Sequence, residues 1–259
     1  MSKQDKINRL PLSAWHAESL RLTAFPITAT PLNDINWWTE LMGEPAETKT
    51  VQPKLDRQTE QGLFLGAKLV NQVQPNRIDW LIQLTDQESG AIVFPTIGPF
   101  LEVIEPFVEL MLRWFNLKTC PELKRLAFGP TFVYPVDSRV AGYRQLSVYL
   151  HSIKLDPEGS SDFLYQINRI RNATSKIDGL KINRLSKWSV SALQRMDFSF
   201  GKEIDLSVTK RQAQYACRLD LDINTAAEFA GPLPKKQLSL IFQELVDLAK
   251  EIALEGDIP

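Results

Sequence analysis

The sequence predicts an α+β protein in which antiparallel sheets are packed by helices. Three observations support this class: segments that alternate apolar and polar residues, long segments with apolar residues at helical spacing, and turn signals that join neighbouring strands as hairpins. The strictest alternation is YACRLDLDINT at 215–225, where the odd positions from Tyr215 to Ile223 are apolar or aromatic. The clearest helical stripe is LSLIFQELVDLAKEI at 238–252.

Length and composition are those of a folded globular protein. The chain has 259 residues, of which 44% are hydrophobic, enough for a substantial core in one large domain or two small ones. Its 30 basic and 31 acidic residues nearly cancel, so the whole molecule has no strong field to attract nucleic acid or an anionic membrane. We find no signal peptide and no window of about 18 apolar residues, which predicts a cytoplasmic protein with no membrane partner.

The first half of the chain has the pattern of a strand, a short helix, three strands and a long helix. Asn33 or Asp34 is placed to cap the short helix, and Gly43 ends it. Pro75-Asn76 joins two of the later strands as a hairpin. The predicted segments are 19–27 for the first strand, 60–74, 77–85 and 91–94 for the next three, and 99–117 for the long helix.

The second half repeats this order. Its predicted segments are a strand at 125–134, a helix at 138–150, a long hairpin at 163–194, the strand at 215–225 and the final helix at 238–252. We therefore predict an internal duplication, with a first α+β repeat at 1–120 and a second repeat, containing the long hairpin, at 121–259. Residues 197–211 have no counterpart in the first half and are expected to form a connecting excursion.

The hairpin at 163–194 contains Asp178-Gly179, the strongest short signal for a two-residue turn. If this dipeptide is the whole loop, Arg169 lies directly across from Trp188, with its guanidinium on the indole face. Arg171 and Arg184 then project from the same face. The two strands agree on which of their faces is apolar, and this supports the register because a one-residue slip would invert one of them.

The same hairpin carries the most marked charge cluster in the sequence. Residues 163–195 contain seven basic residues and one acidic residue, whereas 219–259 contain eight acidic residues and three lysines. The candidate anion-binding or partner-binding residues are Arg169, Arg171, Arg184, Lys187 and Trp188. Three interpretations are open: the arginines pair with acids of the fold or of a second subunit, they bind phosphates beside a stacking aromatic ring, or they anchor a protein partner.

Asp220 and Asp222 are the residues that most resemble a catalytic or metal-binding pair. They lie two apart on a strand, so their carboxylates share one face at a separation of about 7 Å. No acid-rich loop accompanies them, and the only two histidines, His16 and His151, stand at no recognisable catalytic spacing. We therefore expect these aspartates on the solvated side of a sheet, and we predict no metal, no cofactor and no enzymatic activity.

Three short motifs carry a resemblance to a known family. They are LPL at 10–12, RLAF at 125–128, and LDLDINT followed by LSLIFQELVDLAKEI. With them the chain resembles a family of sporadically distributed prokaryotic proteins of similar length and unknown function, which end in a Leu-Asp-Ile-Asp-like strand and an amphipathic helix. The resemblance implies a duplicated α+β fold and a scattered inheritance of the kind seen among accessory and antiviral-defence genes, and it implies no known reaction.

The chain departs from that family at one position. Where the family carries an Asn-Arg pair, at the end of the first strand of the second half, this chain has VYPVD at 133–137. The sequence INRI occurs only at 167–170, in the hairpin, so no role of that pair is transferred to this chain.

The sequence as a whole predicts a non-enzymatic interaction or scaffold protein of the cytoplasm. Its sheet edges and basic hairpin are expected to bind a protein partner, in an accessory system of the antiviral-defence type, and the same surfaces are compatible with a homo-oligomer. The alternative is a nucleic-acid or nucleotide sensor that binds through the basic hairpin at 163–194, for which steep salt dependence is the signature. A chaperone-like binder of unfolded chains would require long apolar grooves.

Overall fold

The structure, a computed structural model, describes residues 8–32, 35–84, 94–175, 177–194, 196–200, 206–210, 213–229 and 231–258, with the backbone alone at 196–200 and 206–210. It confirms the predicted α+β class. In the described residues one large antiparallel sheet of eleven strands is packed by helices, and two further strands pair with each other as a separate ribbon. None of the helices in these ranges combines the length and the apolar character that crossing a bilayer would require.

The described part of the chain contains thirteen strands and four α-helices. The strands are β1 (His16–Pro26), β2 (Thr48–Gln52), β3 (Arg57–Phe64), β4 (Ala67–Gln74), β5 (Arg77–Gln83), β6 (Gly98–Pro99), β7 (Leu123–Phe128), β8 (Thr131–Val136), β9 (Leu164–Asn172), β10 (Lys181–Leu193), β11 (Met196–Phe200), β12 (Leu206–Lys210) and β13 (Gln214–Thr225). The helices are α1 (Trp37–Met42), α2 (Phe100–Asn116), α3 (Arg139–Ser147) and α4 (Leu238–Glu255). Strand β1, helices α1 to α4 and strand β13 lie where the sequence patterns predict them.

A single sheet passes through both halves of the chain. Its strand order is β2-β3-β4-β5-β1-β7-β13-β10-β9, and β8 continues the line of β7 between β1 and β13. In each half the first strand pairs with the last long strand, β1 with β5, and β7 and β8 with β13. Because β1 also pairs with β7, the two halves meet strand to strand. The duplication and its boundary at residue 120 stay predictions.

The helices pack on one face of this sheet. Directly paired residues of neighbouring strands point to the same face, and Trp80, Leu22 and Phe128 form such a row across β5, β1 and β7. Trp38 of α1 stacks on Trp80 with ring centroids 6.4 Å apart, and Phe242 of α4 packs edge-on against Phe128 at 5.7 Å. This face therefore holds the core.

The two other helices reach the same face. Phe100 of α2 contacts Phe132 of β8 at 4.4 Å between ring centroids. The backbone of α3 lies directly on the sheet at Gly142, where an added Cβ would fall 2.7 Å from a methyl group of Val190. No helix of the described chain packs on the opposite face, which carries Asp220 and which we call the open face.

Two predicted strands are divided in the structure. Segment 60–74 forms β3 and β4, joined by a turn at Leu65–Gly66 in which both residues have positive φ, +54° and +72°. These angles match a type I′ turn, which usually has Asn or Asp before the Gly, so leucine conceals it in the sequence. Segment 125–134 forms β7 and β8, which are separated at Gly129–Pro130, where proline has no N–H to give to a ladder.

Three further differences concern short segments. β2 has no sequence signal, because all five of its residues are exposed and it therefore lacks an apolar alternation. The predicted excursion at 197–211 falls on the ribbon of β11 and β12. The predicted caps Asn33 and Asp34 and nearly all of the predicted strand at 91–94 lie outside the described residues.

Candidate functional site

The hairpin that carries the candidate residues pairs differently from the prediction. In the ladder between β9 and β10, Arg169 faces Arg184 and Tyr165 faces Trp188. The predicted contact between the Arg169 guanidinium and the Trp188 indole is therefore wrong. Each residue of β9 pairs with a residue four positions earlier in β10 than the two-residue turn requires.

The reason is a longer loop. The Asp178–Gly179 turn does form, with Gly179 at a φ of +74° and the N–H of Leu180 donating to the C=O of Ile177 at 3.2 Å. However, the strands close further out, where the N–H of Ala173 donates to the C=O of Leu180 at 2.9 Å. Thus the turn is one part of the connection between Ala173 and Leu180 rather than the whole of it.

The prediction of which residues share a face is still right, because the observed register differs from the predicted one by an even number of residues. Arg169, Arg171 and Arg184 share one face, and we call these three residues the arginine cluster. That face is the one covered by helices. Lys187 lies on the open face, directly across from Asp220 of β13, so the structure does not bring it to the other candidate residues.

Trp188 belongs to the core. Its side chain is fully buried, its ring stacks on that of Tyr149 with centroids 5.3 Å apart, and it meets Trp15 edge-on at 6.4 Å. The indole Nε1–H donates to Ser186 Oγ at 3.2 Å. The expectation that this ring is available for stacking on a base is therefore wrong.

Arg169 is paired with a carboxylate near the end of the described chain. Its Nε and Nη2 donate to the two carboxylate oxygens of Asp257 at 2.5 and 2.9 Å. The same carboxylate accepts from the hydroxyls of Tyr165 at 2.6 Å and Ser152 at 2.9 Å. The Arg169 guanidinium, helped by these hydroxyls, lowers the pKa of Asp257 from 3.8 to about 2. Asp257 therefore fastens the segment after α4 to the hairpin.

The two other arginines of the cluster differ from each other. Arg171 is half-buried and binds Glu251 of α4 with two parallel hydrogen bonds of 3.1 and 3.0 Å. Arg184 is only 3% exposed, and its Nη2 donates to the C=O of Ile258 at 3.4 Å. Burial, followed by the charge of Arg171, lowers the pKa of Arg184. Thus two of the three arginines are paired with acids of the same chain, as the first interpretation expects.

Acid is expected to weaken the fold through Asp257. The folded pKa of about 2 lies below the ordinary 3.8, so the carboxylate adds stability above pH 4 that is lost as the pH falls from about 4 to about 2. The difference between these two pKa values corresponds to about 2 kcal/mol in the free energy of unfolding. Urea unfolding of the wild type and of Asp257→Asn at pH 7, 4 and 2 measures it: the stability gap between them shrinks by about 2 kcal/mol across the acid range. A gap that stays constant would contradict the pKa shift.

Asp220 and Asp222 lie on the open face, where both are half-buried. Asp220 accepts from Arg218, at 3.0 to 3.1 Å, and from the hydroxyl of Thr131 at 3.1 Å. Asp222 accepts from the side-chain amide of Asn224 at 3.0 Å. Across the ranges that the structure describes, no three His, Cys, Asp or Glu side chains are grouped so that they could hold a metal ion.

The sheet has two edge strands of different character. β2, at one edge, is five residues long, carries Lys49 and is followed by Pro53, and these are features that discourage pairing with another chain. β9, at the other edge, is nine residues long and contains no proline or lysine. Its only charged residues, Arg169 and Arg171, point to the helix-covered face, where α4 and the segment after it bind them.

The free backbone groups of β9 can be assigned. Hydrogen-bonded pairs alternate along an antiparallel ladder, and the bond from Ala173 shows that the odd residues of β9 bond to β10. The even residues therefore direct their N–H and C=O groups away from the sheet. They are Leu164, Gln166, Asn168, Ile170 and Asn172, all exposed, and none has a backbone hydrogen bond to another described segment.

The side chains of the same residues lie on the open face. They are uncharged, and the two aliphatic ones, Leu164 and Ile170, are 57% and 61% exposed. We call this row, from Leu164 to Asn172, the β9 edge. The sequence gives one local sign of it, an alternation whose even positions are polar with an aliphatic residue near each end, but nothing local tells that β9 is the outermost strand.

Comparison with known proteins adds no assignment: no protein-family model matches the chain, and no curated protein matches it at a significant level.

Proposed function

We propose that this chain is a non-enzymatic, cytoplasmic interaction protein that binds an extended segment of a protein partner along the β9 edge. The observation that supports it is an edge strand of nine residues whose outer side is unpaired and whose five exposed side chains are uncharged, two of them aliphatic. Native proteins usually protect such an edge with charges, proline or a covering segment. A system of the antiviral-defence type, which the family resemblance implies, is the setting we propose for it.

The geometry specifies what the partner segment presents. An added strand receives main-chain hydrogen bonds from Gln166, Asn168 and Ile170, which supply affinity with little dependence on sequence. Specificity then comes from the alternate side chains that lie on the open face. Leu164 and Ile170 are six residues apart, or about 20 Å along the strand. We therefore expect a partner strand with one aliphatic or aromatic residue near each end and uncharged residues between them.

The two arginines of β9 do not guard this edge, and the hairpin charges on the open face, Lys181 and Lys187, belong to the neighbouring strand β10. Arg169 and Arg171 would repel a basic segment if they projected outward, but each is held on the covered face by a carboxylate. The acids that hold them are Glu251, near the end of α4, and Asp257, just beyond it. Self-pairing within the fold and an open binding edge are thus compatible, because they use opposite faces of the same strand.

Selection of displayed peptides tests the proposal. Random peptides of about twelve residues, long enough to cover β9, are selected on the wild-type chain. The expected peptides carry two apolar residues about six positions apart with uncharged residues between them, and Ile170→Lys is expected to weaken their binding at least tenfold because it places a charge opposite an apolar side chain. The matched control is Leu63→Lys: Leu63 is 62% exposed, against 61% for Ile170, but lies in β3, far from this edge.

Equal weakening by both variants would mean that the peptides bind exposed apolar surface in general, and this would contradict edge binding. Loss of fold is not expected to confuse the comparison, since substitutions at such exposed positions usually change stability by less than about 0.5 kcal/mol. Thermal unfolding of both variants checks this.

A second copy of the chain competes for this edge in one register. Two β9 strands paired antiparallel about Asn168 would place Leu164 opposite Asn172 and Ile170 opposite Gln166 of the other copy, so each aliphatic side chain would face an amide. Pairing about Ile167 would instead place Leu164 opposite Ile170 in two symmetric contacts, and the oligomeric state tests this register. We expect a monomer in sedimentation velocity at micromolar concentration, and a dimer that Ile170→Lys dissociates would assign the edge to self-association instead.

The nucleic-acid alternative has less support from the contacts. Its expected ligands for phosphate, Arg169 and Arg171, already bind carboxylates, and the stacking ring of Trp188 is buried. Exposed Lys181 and half-buried Lys187 remain on the hairpin. Titration with labelled single- and double-stranded DNA and RNA at two salt concentrations decides it, because phosphate binding weakens steeply as salt rises. Binding at low salt that Lys187→Ala reduces would favour the alternative.

A further inference from the structure

The arginine cluster has more positive than negative charge. It contains three guanidinium groups, and the carboxylates that contact it are those of Asp257 and Glu251. Asp257 accepts two hydrogen bonds from Arg169, and Glu251 accepts two from Arg171. Arg184 is the member without an acid at salt-bridge distance among the described residues, and it is also the most buried. A buried charge without a contacting counter-charge is unfavourable, so a further negative charge beside Arg184 would stabilise the described part of the fold.

Arg184 also has donors that nothing in the described chain accepts. Its Nε and Nη1 are buried and have no hydrogen-bond partner among the described residues. Its one acceptor is the C=O of Ile258, at 3.4 Å from Nη2. A buried unsatisfied donor costs about 1–3 kcal/mol, and more when it is charged. An acceptor at this position would therefore remove two penalties at once, the electrostatic one and the hydrogen-bonding one.

A small cavity lies beside Arg184. Its volume is about 10 Å³, and it is lined by Arg169, Arg184, Ser186, Ile252, Gly256, Asp257 and Ile258. The Ser186 hydroxyl oxygen accepts the Trp188 indole N–H, so its own hydrogen is free to donate. The Asp257 carboxylate, the one negative group in the lining, accepts four hydrogen bonds and is directed to Arg169, Tyr165 and Ser152.

We propose that this cavity is a binding site for a small monovalent anion of the halide class, held by Nε and Nη1 of Arg184 and the hydroxyl of Ser186. The volume is that of about one water molecule, which excludes phosphate and sulfate and makes chloride, with a radius about 0.4 Å larger than that of water, the largest ion that the lining accepts. Water could satisfy the donors but not the charge, and this difference favours an anion. The bound ion joins β10 to the segment that follows α4, on the face opposite the open face and independently of the β9 edge.

Thermal unfolding in matched salts tests the site. The wild type is unfolded in sodium chloride and in sodium gluconate at equal ionic strength, so that screening of surface charges is the same in both. Gluconate is too large for the cavity. Chloride at ten times its dissociation constant is expected to raise the Tm by about 3–5 °C above the value in gluconate. In Arg184→Met, which removes the uncompensated charge and keeps an unbranched apolar chain, the two salts are expected to give the same Tm.

Chloride itself provides a second measurement that does not depend on any variant. Long-wavelength diffraction from crystals of the wild-type protein grown in sodium chloride is expected to show an anomalous peak at hydrogen-bonding distance from Nη1 of Arg184. Density without anomalous signal at that position, together with equal Tm values in chloride and gluconate, would mean that water fills the cavity and would overturn the proposal. A chloride effect that persists unchanged in Arg184→Met would also overturn it, because the ion would then bind elsewhere.

Discussion

Replacing Asp257 by asparagine is expected to lower the free energy of unfolding at pH 7 by about 3–5 kcal/mol, the usual cost of removing one partner from a buried ion pair. The Asp257 side chain is 1% exposed and accepts from Arg169, Tyr165 and Ser152. Asparagine keeps the size of the side chain but leaves the Arg169 guanidinium without its counter-charge. The segment after α4 would then lose its main attachment to β9.

Urea unfolding at pH 7 measures this effect, with Asp247→Asn as the control. Asp247 lies in α4, ten residues before Asp257, and its side chain is exposed. Its replacement is therefore expected to change the free energy of unfolding by less than about 0.5 kcal/mol. A loss below about 1 kcal/mol for Asp257→Asn would mean that the pair with Arg169 behaves as an exposed surface ion pair.

Replacing Trp188 by alanine is expected to cost about 3–5 kcal/mol, the range for removing a large aromatic side chain from a core. The ring is fully buried between Tyr149 and Trp15, and its N–H is bonded to Ser186. For a chain of this size such a loss corresponds to a fall in Tm of roughly 10 °C. Differential scanning calorimetry measures it.

Two controls separate this structural role from a binding role. Trp188→Phe keeps most of the ring contacts and is expected to lower the Tm clearly less than Trp188→Ala does. Leu164→Ala, at an exposed position of the same hairpin, is expected to leave the Tm nearly unchanged. If Trp188→Ala kept the wild-type Tm and impaired ligand binding, Trp188 would be a binding residue rather than a core residue.

Patterns within single elements could be predicted from the sequence. The apolar stripe of α4 and the alternation of β13 each follow from one face meeting the core, and both elements lie where those patterns place them. The polar side of β13, with Asp220 and Asp222, was predictable for the same reason. The predicted faces of β9 and β10 were right as well, because parity is determined by burial rather than by the exact register.

Features that depend on distant residues could not be predicted. Predicting the hairpin register required the knowledge that the connection between Ala173 and Leu180 is longer than Asp178–Gly179. The two strands do not distinguish the two registers, since both registers keep the same faces. The partner of Arg169 is 88 residues away along the chain. The acidic character of 219–259 indicated that partners existed there, but not that Asp257 and Glu251 were the ones.

The edge position of β9 is likewise a property of the whole sheet. The order β13-β10-β9 places β9 outermost. β4 is of similar length but lies inside the sheet, so strand length does not identify the edge strand. The signal that remains in the sequence is weak: a nine-residue strand without lysine or proline in a chain that carries both at its other edge, around Lys49 and Pro53.

Amide hydrogen exchange along β9 tests the central claim most directly, first in the free protein and then with a peptide selected on it. In the free protein we expect rapid exchange at Gln166, Asn168 and Ile170, whose N–H groups point away from the sheet, and slow exchange at Arg169 and at the other odd positions bonded to β10. The bound peptide is expected to slow the three even amides at least tenfold and to leave the odd ones unchanged. Slow exchange at the even amides before any peptide is added, or a bound peptide that protects another surface and leaves them exchanging rapidly, would contradict it.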